Sequence, residues 1–289
     1  MELTLTNKNG QTLDLLRNTG RFVLYKAEAL HGIDTDIKES DSPYIDGTIV
    51  ESVKALPREI ELGFKIVGDV RESISFFTGY VKSKQRVTLT MKEGGKEISI
   101  DGIATIPPYT RMAQACEITL TVYCAQPYWE DIQKVVGEIA IAISLLNFPI
   151  QGQFFAKAGR PFGVLDTRLE KSFNNDGDAA VGMTITIVAL SSLTNPRISC
   201  STGEQNGWYM ELLTTIDEND EVEIVTTKGK KSITVNGSDE YKGSPVLSYL
   251  NFVGSDWLQL ETGENTFNVS ADSGSESLYF NISYKRRYE

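Results

Sequence analysis

The sequence predicts a mainly β protein, with one helix in its first half and an all-β second half. Three observations carry that reading. Apolar and polar residues alternate in short runs, as in Ile118, Leu120, Val122 and Cys124 against Glu117, Thr119, Thr121 and Tyr123. Turn-forming Gly, Asn and Asp separate those runs. Only Asp69 to Gly79 has convincing helical spacing.

At about 100–200 residues per domain, 289 residues make one large domain or two ordinary ones. The stretch Cys124-Ala125-Gln126-Pro127-Tyr128-Trp129-Glu130 marks a domain end, because Pro127 removes a backbone donor and biases Gln126 away from the helical region. The expected divisions are residues 1–130, a connector over 131–170, and residues 171–289.

In chain order, Leu3 and Leu5 alternate and Asn9-Gly10 offers a turn. Tyr25 to Ile33 carries the only histidine, His31. The polar stretch Asp34 to Gly47 reads as a long loop or a hairpin tip, with Asp34, Asp36, Glu39, Asp41 and Asp46 in it. Strand-like runs follow at Thr48–Val53 and Arg58–Val67. The helix has Asp69 as N-cap, Glu72 at the capping-box position, Val70, Ile74 and Phe77 on one face, and Gly79 as its closing glycine. Val87, Leu89 and Met91, the turn Glu93-Gly94-Gly95-Lys96, and Ile98 and Ile100 make a hairpin. Thr105 to Met112, with Pro107-Pro108, reads as a loop.

The connector has no periodicity over Gln151 to Gly163. Beyond it come Met183, Ile185 and Ile187, then Val222 and Ile224. Ile233 and Val235 run into Asn236-Gly237, a two-residue hairpin signal. Leu258 and Leu260, Phe267 and Val269, and Leu278, Phe280, Ile282 and Tyr284 complete a β-sandwich pattern.

Composition narrows the function classes. Hydrophobic residues are 40% and charged residues 23%, which suits packed cores and argues against disorder. The net charge of −11 has the wrong sign for a groove that grips nucleic acid. Three cysteines, Cys116, Cys124 and Cys200, without a short-spaced pair suggest buried thiols in a reducing compartment. Met1 to Thr6 alternates like a strand and lacks the pattern of a secretory signal. The apolar run from Val135 to Ile150 is broken by Glu138 and is short for a membrane span, so no membrane partner is expected.

Catalytic readings fare poorly. Any triad would have to use His31, and no nucleophile elbow lies near it. There is no zinc spacing and no phosphate-cradling glycine motif, so no cofactor or metal is expected. Paired carboxylates such as Asp166 and Glu170 could serve a glycosidase, but loop acids are usually solvated. Asn174-Asn175-Asp176-Gly177-Asp178 is oxygen-rich but lacks the bidentate glutamate of an EF-hand and reads as a turn. Asp217 to Glu221 reads as an exposed hairpin turn. Trp208, Tyr209 and Trp257 offer flat faces for a sugar or a protein partner, or else core packing.

The order of motifs resembles the distal tail proteins of long-tailed, siphovirus-type bacteriophages. The first half carries Ile60-Glu61-Leu62-Gly63-Phe64-Lys65, the helix Asp69–Phe77, the Glu93–Lys96 hairpin, Ile106-Pro107-Pro108 and Pro127-Tyr128-Trp129. The second half carries Asn174-Asn175-Asp176-Gly177-Asp178-Ala179, Gly263-Glu264-Asn265-Thr266-Phe267 and Ile282-Ser283-Tyr284-Lys285-Arg286-Arg287-Tyr288. All are structural; none is catalytic.

The resemblance implies an N-terminal ring-forming domain, assembled as a homohexamer around the tail channel, and a C-terminal galectin-like or carbohydrate-module-like β-sandwich outside it. The implied place is the virion tail tip, with the protein made in the bacterial host cytoplasm. The implied partners are further copies of the chain, the tail tube protein, the tail-tip hub protein and a receptor-binding protein, while DNA passes through the channel without specific binding. Asp34, Asp36, Glu39, Asp41 and Asp46 would then form a channel-facing acidic collar. Pro127, Tyr128 and Trp129 would form the joint between the domains. Two alternatives stay open: a carbohydrate-binding adhesin acting through residues 171–289, and a tail-associated cell-wall hydrolase.

Overall fold

Alternation becomes strand through most of the first half. A computed structural model describes residues 1–17, 20–41, 43–44, 46–109, 116–140, 142–144, 163–165, 169–218, 220–236, 244–275 and 278–289. In order come β1 (Glu2–Asn7), β2 (Thr12–Asp14), β3 (Phe22–Glu28), β4 (Thr35–Asp41), β5 (Thr48–Ala55), β6 (Arg58–Ile66), α1 (Val70–Tyr80), β7 (Gln85–Glu93), β8 (Lys96–Thr105), β9 (Cys116–Cys124) and β10 (Trp129–Asp131). A nine-stranded sheet runs β2-β1-β7-β8-β9-β6-β3, and β10 pairs with β8 and with the distant strand Arg287–Tyr288.

The core of this unit follows from period two. Ile60, Leu62 and Phe64 on β6 lie opposite Val122, Leu120 and Ile118 on β9, and all six are buried. Helix α1 covers the same face. Phe77 meets Phe64 and Phe22 at centroid distances of 5.0 and 5.9 Å, and burying such a ring contributes about 1.5–3 kcal/mol. Asp69 caps the helix by accepting the Glu72 N–H at 2.9 Å. The reciprocal half of a capping box is replaced by an ion pair, since the Glu72 carboxylate lies 3.6 Å from Arg21.

Gly79 does not close the helix as expected. It lies inside α1 and outside the left-handed region, and the extended Val81 is the cap, donating its N–H to Phe77 O at 3.0 Å. Burial of Val81 in the core ends the helix where the expected glycine does not.

The second unit is all β, apart from two short 3-10 turns. Its strands are β11 (Val135–Ala140), β12 (Ala142–Ser144), β13 (Gly163–Leu165), β14 (Glu170–Asn175), β15 (Met183–Ala189), β16 (Leu193–Thr194), β17 (Arg197–Cys200), β18 (Tyr209–Glu211), β19 (Thr215–Ile216), β20 (Glu221–Val225), β21 (Ser232–Asn236), β22 (Ser244–Pro245), β23 (Gly263–Ser270) and β24 (Leu278–Tyr284). A six-stranded sheet, β11-β24-β15-β20-β21-β22, shares one core with a four-stranded sheet, β14-β23-β17-β18. Ile185, Ile224 and Phe280 come from the first; Phe267, Ile198 and Met210 come from the second. A side chain at Gly137 on β11 would collide with the Phe173 ring, so glycine lets that ring lie across the strand.

The units divide the chain at different points from those expected. One is Met1–Ile132 with Arg287–Glu289, and the other is Gln133–Arg286. Within the expected connector, β11 pairs with β24 and buries Ile139, which makes it a sheet strand of the second unit. The strand Arg287–Tyr288, now β25, returns to the first unit through Trp129↔Tyr288 and Glu130↔Arg287. Arg287 donates twice to Glu130 Oε1, at 3.0 and 2.9 Å.

Two turn expectations also change. Gly237 lies outside the described residues, and Val235 opposite Ser244 makes the β21–β22 connection longer than two residues. Asp217 to Glu221 is a turn between two sheets, because β19 pairs with β16 whereas β20 pairs with β15.

Candidate functional site

The expected acidic segment forms an antiparallel hairpin. Asp34 precedes β4; Asp36, Glu39 and Asp41 lie on β4; Asp46 lies in the turn before β5. The base is closed by Leu56 N–H to Asp34 O at 2.8 Å. Among the described residues β4 and β5 pair only with each other, so both have an edge without a strand partner there. None of the described residues of 34–57 enters the core of the unit.

Register sorts the hairpin's two faces. Ile37 is opposite Val53, and Glu39 is opposite Val50 across a bulge, so these four share one face. Asp36 opposite Lys54 and Lys38 opposite Ser52 share the other. Ile37, Val50 and Val53 are 50%, 55% and 61% exposed, an unusual state for paired β-branched residues. A lone two-stranded hairpin is marginal in water.

A second surface lies across the nine-stranded sheet. Arg86 on β7 is opposite Ile103 on β8, which is opposite Tyr123 on β9. Ile103 and Tyr123 are 44% and 40% exposed. They help line a concavity of about 400 Å³ with Lys8, Arg86, Asp101 and Ala125. Asp101 accepts from the Thr88 hydroxyl at 2.6 Å. Lys82 and Lys84 are exposed just before β7, and Lys84 N–H binds Ala104 O at 2.8 Å, beside Ile103. This basic rim was missed in the sequence, although Lys82-Ser83-Lys84-Gln85-Arg86 shows the spacing of a one-faced strand.

The joint residues behave unequally. Trp129 is fully buried in the first core, and its indole N–H donates to Leu30 O at 2.9 Å. Arg58 donates to the same oxygen at 2.8 Å. Leu30 precedes the hairpin, so two buried side chains fix the point from which the hairpin departs. Tyr128 is half-buried with the Arg287 guanidinium 6.0 Å from its ring, and Pro127 is buried beyond the end of β9 at Cys124. Burial desolvates the Cys124 thiol opposite Arg58 and pushes it up to about 11. All three cysteines are buried, and none forms a disulfide.

In the second unit, the Arg197 guanidinium lies 3.6 Å from the Tyr209 ring centroid, and Lys231 lies 5.0 Å from that of Trp257. Trp257 packs against the core, which leaves Trp208, 43% exposed, as the open aromatic of the three. The Asn174–Asp178 segment is a local turn: Asn175 Oδ1 accepts Gly177 N–H at 3.1 Å, and Asp176 pairs with Arg286 at 3.2 Å. Glu170 begins β14, whereas Asp166 lies outside the described residues. Among the described residues no group of three His, Cys, Asp or Glu side chains could hold a metal, and no helix is long and apolar enough to cross a membrane.

Comparison with known proteins gives these surfaces a setting. Residues 176–288 match the family model described as siphovirus-type tail component, C-terminal domain. The second unit is thus similar to the C-terminal domain of siphovirus-type tail components. The fold of the chain is shared along its length with the crystal structure of SPP1 Dit, described as a paradigm of the hub adsorption apparatus in phages infecting Gram-positive bacteria. That match has a TM-score of 0.68 and 15% identity, and covers 99% of both chains. The phage P2 baseplate in its activated conformation with calcium is also similar, with a TM-score of 0.47, 11% identity, and coverage of 99% of this chain and 97% of that one. No curated protein matches the sequence.

Proposed function

We propose that this chain is a phage tail component that forms a closed homohexameric ring at the tail tip, joining the tail tube to the tail-tip hub. One observation carries the reading: the fold matches, over 99% of both chains, a structure described as a hub adsorption apparatus. DNA passes through the ring without being bound, in keeping with the net charge of −11. The second unit offers the platform on which a receptor-binding protein attaches. Exposed Trp208, Leu213, Phe252 and Val253 give it apolar surface of the kind such a partner covers.

Native mass measurement across a range of concentrations tests this. The expected species is six copies of the 32.0 kDa chain, visible as a ring by electron microscopy. A chain that stays monomeric and binds immobilised glycans through residues 171–289 would instead support the adhesin.

A further inference from the structure

We infer that β25 is a latch for the elbow at Ala29 and Leu30, from which the chain leaves the nine-stranded sheet. Its pairing with β10 seats Trp129, and Trp129 holds the elbow. The inference concerns a single chain and stands apart from the ring reading.

The elbow needs holding. β3 ends at Glu28 and β4 begins at Thr35, so residues 29–34 carry the chain out of the sheet. Ala29 has a φ of 59° there, a left-handed conformation that strains a residue with a Cβ. Such strain persists only where the surroundings over-determine it. Here the grip falls on carbonyl oxygens. Arg58 donates to Leu30 O at 2.8 Å and to Ala29 O at 3.4 Å, and the Trp129 indole N–H donates to Leu30 O at 2.9 Å. Arg58 is 4% exposed, and its Nε and Nη2 have no hydrogen-bond partner among the described residues. A buried guanidinium satisfied on one side is a costly anchor, which leaves Trp129 to complete the grip.

The latch lies behind Trp129. β10 pairs with β8 through Glu130 and Asp131, so Tyr288 is the strand partner of Trp129 among the described residues. Tyr288 is itself buried, with the Lys96 ammonium 4.4 Å from its ring centroid. Beside it, the Arg287 side chain is 17% exposed and directs both its bonds to Glu130 Oε1. A two-residue strand is short enough to open by itself, and one charge-assisted contact dominates its hold. Opening β25 takes away the strand partner of Trp129, and with it the support of the indole that fixes Leu30.

Hydrogen exchange on the full chain, at matched oligomeric state, tests this. Arg287→Glu sets one carboxylate against another. It should speed exchange about tenfold or more at residues 31–34 and at Leu56, whose N–H closes the hairpin base on Asp34 O, while the interior amides of β6 and β9 keep their rates. Glu130→Arg combined with Arg287→Glu restores the pair with its signs exchanged, and should return the elbow to wild-type rates. Trp129→Phe keeps a buried ring but removes the N–H, and should speed the same amides while β25 stays protected. An elbow unchanged in Arg287→Glu or in Trp129→Phe would overturn the latch. So would acceleration spread evenly over β6 and β9, which marks general loosening, or a charge-exchanged pair that fails to recover.

Discussion

The β6–β9 pair and the β4–β5 pair are both antiparallel and have strands of seven to nine residues, yet they stand in opposite environments. Across β6–β9, Leu62 meets Leu120 with both fully buried. Across β4–β5, Ile37 meets Val53 with both at least half exposed. Backbone pairing therefore does not decide burial; what decides it is whether another layer covers the face. In the first unit α1 covers the sheet core, whereas among the described residues nothing covers the hairpin face. The former pair stabilises the fold and the latter leaves its apolar side chains exposed.

The largest break in this contrast should come from Trp129→Ala. It removes a fully buried ring and its bond to Leu30, and should cost the first unit about 3–5 kcal/mol in chemical denaturation. Alkali comes next. Cys124 has an ordinary value of 9.0 and is raised to about 11 in the fold, so its contribution is fully present below pH 9 and is lost as pH rises towards 11. Stability measured across that window should fall by on the order of 2 kcal/mol, and Cys124→Ser should flatten part of the fall.

Asp69→Ala removes the N-cap bond and should lower stability by about 1 kcal/mol. Gly79→Ala should do the reverse, raising it by about 0.5–1 kcal/mol, because the position is helical and open. At the far end of the scale, Ile37→Asp should change the melting free energy of the unassembled chain by no more than about 0.5 kcal/mol. A loss as large as that of Trp129→Ala would mean that the hairpin face is covered within its own chain.

Period two made most of the fold legible. Met183, Ile185 and Ile187 lie buried on β15, and Asp69 caps α1, each where local spacing placed it. Long-range geometry was harder to read. Nothing local to Arg287-Tyr288 shows that it pairs with Trp129-Glu130, because the contact joins distant residues. β4 resembled a loop because acidic residues surround its single apolar Ile37, and strand propensity depends on what a strand packs against. The acidic side of the candidate site was visible as composition. Its basic side was not, because Lys8 and Arg86 come together only through the pairing of β1 with β7.

The return of β25 sets an order of events during synthesis. Trp129 and Glu130 wait for partners that the ribosome makes only after every residue of Gln133–Arg286. The first unit is therefore finished last, although it begins first. A chain broken off within the second unit would lack Arg287 and Tyr288, and with them the last strand of the nine-stranded sheet. The last strand of the first unit is thus supplied only once the whole of the second has been made.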